Sequence, residues 1–143
     1  MKEGYLMIPS VKLNREVFDN MKLCNRKTVL VVEDEPGIRF VTSEFLKMSN
    51  FQVVTAENGQ EAMKIIVDNK IDVVVTDIMM PKVNGLELLK FVRRLKGESF
   101  PVVVVSGSDL ESLHVIESEH TRTLRKPYGL DRLAKEILSI SQN

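Results

Sequence analysis

Three runs of this chain are almost wholly apolar and rich in β-branched residues: Thr28-Val29-Leu30-Val31-Val32, Ile71-Asp72-Val73-Val74-Val75-Thr76 and Pro101-Val102-Val103-Val104-Val105. Such runs suit parallel strands covered on both faces, because a half-exposed antiparallel strand alternates apolar and polar positions. Phe51-Gln52-Val53-Val54-Thr55 and Thr121-Arg122-Thr123-Leu124 are read as two further strands, the last short and alternating. Helical patterns separate the runs. Pro36 fits the first turn of a helix expected to bury Ile38, Val41, Phe45 and Leu46. Asn58 can cap a helix with Ala62, Ile65 and Ile66 on its inner face, and Glu61 stands where a capping-box partner would. Gly85 leads into Leu86, Leu89, Val92 and Leu95. Ser108 or Asp109 can cap Leu110, Leu113 and Ile116, and Leu130, Leu133, Ile137 and Leu138 form a last stripe.

Strand and helix alternating five times predict an α/β fold, (βα)5, with an open, doubly wound parallel sheet and helices on both faces. The 143 residues fit one domain. Residues 27–143 supply that domain, and no output domain is expected after the last helix. Residues 1–26 form an N-terminal extension. Leu13, Val17, Met21 and Cys24 recur there at helical spacing, so the extension is read as either a short amphipathic helix or a disordered leader. Lys plus Arg and Asp plus Glu are both 20, which gives no overall pull toward nucleic acid or anionic lipid. The single cysteine, Cys24, excludes an intrachain disulfide. The apolar runs are too short to span a bilayer, and the start lacks the continuous apolar stretch of a signal peptide. A cytoplasmic protein is the expectation.

In open α/β sheets, ligands bind beyond the carboxyl ends of the strands. Glu33-Asp34-Glu35 follows the first strand, Asp77 the third, Ser106 the fourth and Lys126 the fifth. Taken singly, each is ordinary: a strand-end acid usually caps a turn, and a lysine usually sits in solvent. Together they place carboxylates, a hydroxyl and an ammonium on one rim. Crowded carboxylates repel one another unless a cation intervenes, and a hard divalent ion such as Mg2+ suits oxygen donors and shares phosphate readily. Glu33 and Asp34 are therefore read as metal carboxylates, with Asp77 bridging the metal and a phosphoryl group. Aspartate can itself be the nucleophile in phosphoryl transfer. Lys126 and Ser106 would meet the remaining phosphoryl oxygens. His114 and His120, six positions apart, lack the spacing of a helical metal pair and are read as surface residues.

Val31-Val32-Glu33-Asp34-Glu35-Pro36, Thr76-Asp77-Ile78-Met79-Met80-Pro81, Asn84-Gly85, Val105-Ser106-Gly107 and Lys126-Pro127 occur in that order. By this set the sequence resembles the response-regulator receiver family of two-component phosphorelays over roughly residues 27–141. The resemblance implies the flavodoxin-like receiver fold with strand order 2-1-3-4-5. It implies that Asp77 accepts phosphate from a histidine kinase or a histidine phosphotransfer protein. Asp34 and Asp77 would bind Mg2+ through their side chains and Met79 through its backbone carbonyl, with Glu33 assisting. Ser106 would move toward the phosphoryl group and Lys126 would pair with it. The Lys126–Pro127 bond would be cis. Partners would be the phosphodonor and a downstream protein, without direct contact to nucleic acid or membrane, and the chain would be a monomer or weak homodimer. One departure lies in the signalling half. The family usually carries Tyr or Phe three residues before the lysine, and here Thr123 stands there.

Other readings fare less well. An aspartate-nucleophile phosphatase needs an acid two positions after the nucleophile, and Met79 occupies that place. A phosphorylation-independent module would be marked by a lost site residue, and none is lost. A flavodoxin-like cofactor binder would want a glycine-rich first turn, which is missing.

Overall fold

A computed structural model of the chain describes residues 26–107 and 116–141, together with the backbone of Met7–Ile8 and Val11–Lys12. The last two are short strands, β1 (Met7–Ile8) and β2 (Val11–Lys12), paired antiparallel. The sequence reading of residues 1–26 did not anticipate them; the stretch from Leu13 to Cys24 lies outside the described residues. Then follow β3 (Thr28–Val32), α1 (Pro36–Met48), β4 (Gln52–Ala56), α2 (Gly59–Asp68), β5 (Val73–Asp77), α3 (Gly85–Lys96), β6 (Val102–Ser106), β7 (Thr121–Arg125) and α4 (Leu130–Ser141). The helix expected near Leu110 and Leu113, and its caps Ser108 and Asp109, lie outside the described residues.

The five long strands form one sheet in the order β4-β3-β5-β6-β7, every pair parallel. This is the expected order 2-1-3-4-5. All five residues of β5 and all five of β6 are buried, which is why these runs carry no alternation. Their odd and even side chains serve two cores. Val29, Val31, Val73, Val75, Val103 and Val105 pack with Phe45 and Leu46 of α1 and Leu133 and Ile137 of α4. Leu30, Val32, Val74, Val102 and Val104 pack with Ala62 and Ile66 of α2 and Leu88 and Val92 of α3. Each fully buried Val or Leu stabilises the fold by about 1.5–3 kcal/mol before entropy is counted.

Two helix faces differ from the periodicity reading. In α1 the buried residues are Thr42, Ser43, Phe45 and Leu46. Val41 is 51% exposed, because at 100° per residue it stands well off the line through Thr42, Phe45 and Leu46. Ile38, on the first turn of α1, is half-buried and lines an open apolar groove. In α3, Leu88 is fully buried and Leu95 is 47% exposed. Asn84 caps α3 with a complete capping box: its side chain accepts from the Glu87 amide, and Glu87 returns the bond to the Asn84 amide. Asn58 likewise accepts from the Glu61 amide, while the Glu61 carboxylate turns to the amide of Glu57, not Asn58.

Candidate phosphoryl and metal site

The register of the sheet sets the heights of the rim residues. Val32 pairs with Thr76, Asp77 with Val105, and Ser106 with Arg125. Glu33 therefore leaves β3 level with Asp77, and Ser106 and Lys126 follow one and two residues beyond that row on the next two strands. One carboxylate oxygen from each of Glu33, Asp34 and Asp77 lies within 4.8 Å of the others. Glu33 and Asp77 are buried, at 6% and 7% exposure, while Asp34 faces solvent. The Lys126 ammonium donates to Asp77 Oδ2 at 2.7 Å and lies 3.5 Å from Glu33 Oε1. The Met79 amide donates to Asp77 Oδ1 at 3.2 Å, so both oxygens of Asp77 are engaged. The Glu35 amide donates to Glu33 Oε2 at 3.2 Å.

Backbone contacts hold the frame. Ile78 N donates to Val105 O, Gly85 N to Ile78 O, and Lys126 N to Ser106 O at 2.8 Å. The Lys126–Pro127 bond is cis, as the resemblance implies. Ser106 is fully buried one strand away from Asp77. The Met79 side chain is 71% exposed beside the site. The sequence reading thus named residues that the fold gathers: Glu33, Asp34, Asp77 and Lys126 meet directly, and Ser106 and Met79 flank them.

The electrostatics follow from burial and crowding. Burial pushes the Glu33 carboxyl above its usual range; the Glu35 amide and Lys126 pull it down, and the Asp77 charge adds to the rise. Burial pulls Lys126 down, but the hydrogen bond and charge of Asp77, followed by Glu33, more than reverse this, and its pKa is raised. The site is short of positive charge: burial and a neighbouring carboxylate hold Glu33 toward its neutral form even with Lys126 at hand. Three hard oxygen donors around a charge deficit are what a divalent cation such as Mg2+ fits.

Some contributors were not visible in the sequence. Arg39, on the first turn of α1, donates through Nη1 to Glu33 O at 2.8 Å and to Asp34 O at 3.4 Å. Tyr128 lines the same groove as Thr42 of α1, and burial pushes its phenol up. That groove is open and apolar, of about 680 Å³, and is lined in part by Ile38, Val41, Pro127, Tyr128 and Leu130. Thr123 donates to Glu117 Oε2 at 2.9 Å. The partners in these cases are main-chain carbonyls or residues distant in sequence, and spacing encodes neither. His120 lies in the turn before β7, half-buried, its ring 4.0 Å from Glu119 and away from the acidic cluster; His114 lies outside the described residues.

Residues 29–138 match the model of the response regulator receiver domain. Among curated proteins, the probable C4-dicarboxylate response regulator DctR of Bacillus subtilis (strain 168) is 31% identical over 117 residues, 80% of this chain and 52% of that protein. The transcriptional regulatory protein CpxR of Escherichia coli (strain K12) is 30% identical over 112 residues, 78% of this chain and 48% of that protein. The chain spans about half the length of these relatives. Among solved structures, the response regulator protein TrrA of Thermotoga maritima, in complex with Mg(2+)-BeF, matches with a TM-score of 0.71 at 30% identity, covering 80% of this chain and 98% of that one.

Proposed function

Because the chain belongs to the response regulator receiver domain family of two-component systems, whose members interact with histidine kinases, we propose that it accepts a phosphoryl group on Asp77 from a histidine kinase or a histidine phosphotransfer protein. The observation that carries this is the placing of Asp77, buried between the Lys126 ammonium at 2.7 Å and the Met79 amide, with Glu33 and Asp34 alongside. A carboxylate oxygen of Asp77 forms the new bond to phosphorus as the bond to the donor imidazole nitrogen breaks, and that nitrogen keeps the electron pair. Lys126, released from its ion pair, turns its charge to the phosphoryl oxygens. The Ser106 hydroxyl, one strand away, is the second donor toward them. The side chains of Asp34 and Asp77 and the Met79 carbonyl, with Glu33 assisting, would hold Mg2+, which would supply positive charge to the transferred group. The similarity to TrrA, solved with Mg(2+)-BeF, supports that ion.

The phosphodonor helix docks, in this reading, over the apolar groove between Ile38 and Tyr128, which opens beside the rim. The signal then leaves by contact with a downstream protein, without direct contact to nucleic acid, or by relay of the phosphate. Among the described residues no helix is long and apolar enough to cross a membrane.

Incubation with acetyl phosphate or phosphoramidate and Mg2+, followed by intact mass measurement, tests the core of this reading. A single phosphate adduct is expected in the wild type and none in Asp77→Asn. An adduct that persists in Asp77→Asn overturns the assignment.

A further inference from the structure

The side chain of one residue reaches back to the main chain of the acidic triplet Glu33-Asp34-Glu35. Arg39 Nη1 donates to the carbonyls of Glu33, at 2.8 Å, and Asp34, at 3.4 Å. The Arg39 amide donates to the carbonyl of Glu35 at 2.9 Å. The last of these is the ordinary first bond of the helix, so the guanidinium itself holds two carbonyls, those of Glu33 and Asp34. Helical side chains tilt toward the N-terminus, which lets Arg39, on the first turn of α1, reach back over the loop that precedes it. The upstream end of the loop is anchored separately, by Glu33 N donating to Ala56 O at 3.1 Å.

Fixing two successive carbonyls fixes the planes of their peptides, and with them the directions of the Cα–Cβ bonds of Glu33 and Asp34. Those directions must converge on Asp77 for the three carboxylates to share a 4.8 Å cluster. Convergence is electrostatically uphill, so a loop free to relax would spread the charges apart. A guanidinium holds this geometry well, because it stays charged at all relevant pH and its donors form a rigid fork. We propose that Arg39 is a positioning residue for the divalent cation: it touches neither cation nor phosphate, and it sets Glu33 and Asp34 in the geometry that binds Mg2+. The proposal rests on the Mg2+ reading of the rim and extends it to a residue outside the cluster. Partners that orient metal ligands typically change metal affinity by about 10–100-fold when removed.

The test is Mg2+ titration of the full chain without phosphodonor, followed by the amide shifts of residues 33–35 and 77–79. Arg39→Ala is expected to weaken Mg2+ by about tenfold or more, with faster amide exchange at residues 34 and 35. Arg39→Lys, which keeps a charged donor, is expected to recover part of the loss. Lys47→Ala removes an equal charge from the exposed end of the same helix, where Lys47 pairs with Glu44, and is expected to bind as the wild type does. If Arg39→Ala does not fold, Arg39→Gln, with a neutral donor on a shorter chain, carries the comparison. Wild-type affinity in folded Arg39→Ala or Arg39→Gln overturns the proposal, as does an equal loss in Lys47→Ala. Asp34→Ala separates the two levels. Loss of binding there with none in the Arg39 variants defeats the positioning role alone, whereas unchanged binding in Asp34→Ala defeats the metal reading beneath it.

Discussion

At the scale of single residues, Lys126 and Tyr128 govern how the fold responds to alkali. The pKa of each is raised in the folded chain, Lys126 from an ordinary 10.5 and Tyr128 from 10.0. The folded state therefore holds these protons to higher pH than the unfolded state. Their contribution to stability is complete below the ordinary values and falls as pH climbs through the raised ones. Urea unfolding midpoints are expected to decline above pH 10.0, and Tyr128→Phe, which cannot ionise, to decline less steeply. An equally steep decline in that variant counts against the phenol. Met79 sets a second residue-scale quantity, the lifetime of the phosphorylated state. Its exposed apolar side chain flanks Asp77 and offers an attacking water only a weak thioether acceptor. The phosphoaspartate is expected to be long-lived, and Met79→Asn to decay about tenfold faster, a change of roughly 1.4 kcal/mol in the barrier. Following the adduct after donor removal decides it; decay of the wild type within seconds would falsify the idea.

At the scale of elements, the expected output is confined to the connection between β6 and β7. Family members carry an aromatic ring where Thr123 stands, and a threonine has no ring to turn. Its hydroxyl is tied to Glu117, at the end of that connection. A shift of Ser106 toward a phosphoryl group pulls on the same connection from its other end. Amide exchange with and without beryllofluoride is expected to change across residues 106–120, including the part outside the described residues, and to change little in α2. Uniform protection along 106–120 in both states overturns this. The same elements show what the sequence could and could not tell. Strands were legible to within a residue or two, because runs such as Val102–Val105 admit few other fates. Helix faces were less so: Val41 was expected inside and Leu88 went unnamed, since α1 and α3 each offer more apolar residues than one face can bury. The Asn84–Glu87 box is legible in the sequence as an Asn with a Glu three residues later. Arg93 could not be read at all, since most of what its guanidinium bonds is the carbonyls of Gly97, Phe100 and His120.

At the scale of the whole molecule, the chemistry and the bracing lie at opposite ends of the sheet. The carboxyl ends of the strands hold the acidic cluster, while Arg93 stitches the end of α3 to the starts of β6 and β7 at the far edge. The apolar groove opens at the chemical end, between α1 and the start of α4, so under the proposed function a phosphodonor protein and a small phosphodonor would use the same aspartate through different surfaces. Ile38→Glu is therefore expected to slow transfer from the cognate donor protein by about tenfold, roughly 1.4 kcal/mol, and to leave loading by acetyl phosphate unchanged. An equal effect on both donors would mean that Ile38 acts on the site itself, and normal transfer from the protein would remove it from the interface. The tightest junction at this end involves no reactive group. A Cβ at Gly85 would stand 2.3 Å from Asp77 O and 2.8 Å from Ile78 Cα. The start of α3 is pressed against the main chain of the proposed phosphoacceptor, and even a methyl group there has to displace it. Side chains on the exposed surface of α3 stand clear of this junction. Any side chain at position 85 instead reaches the main chain of Asp77 directly.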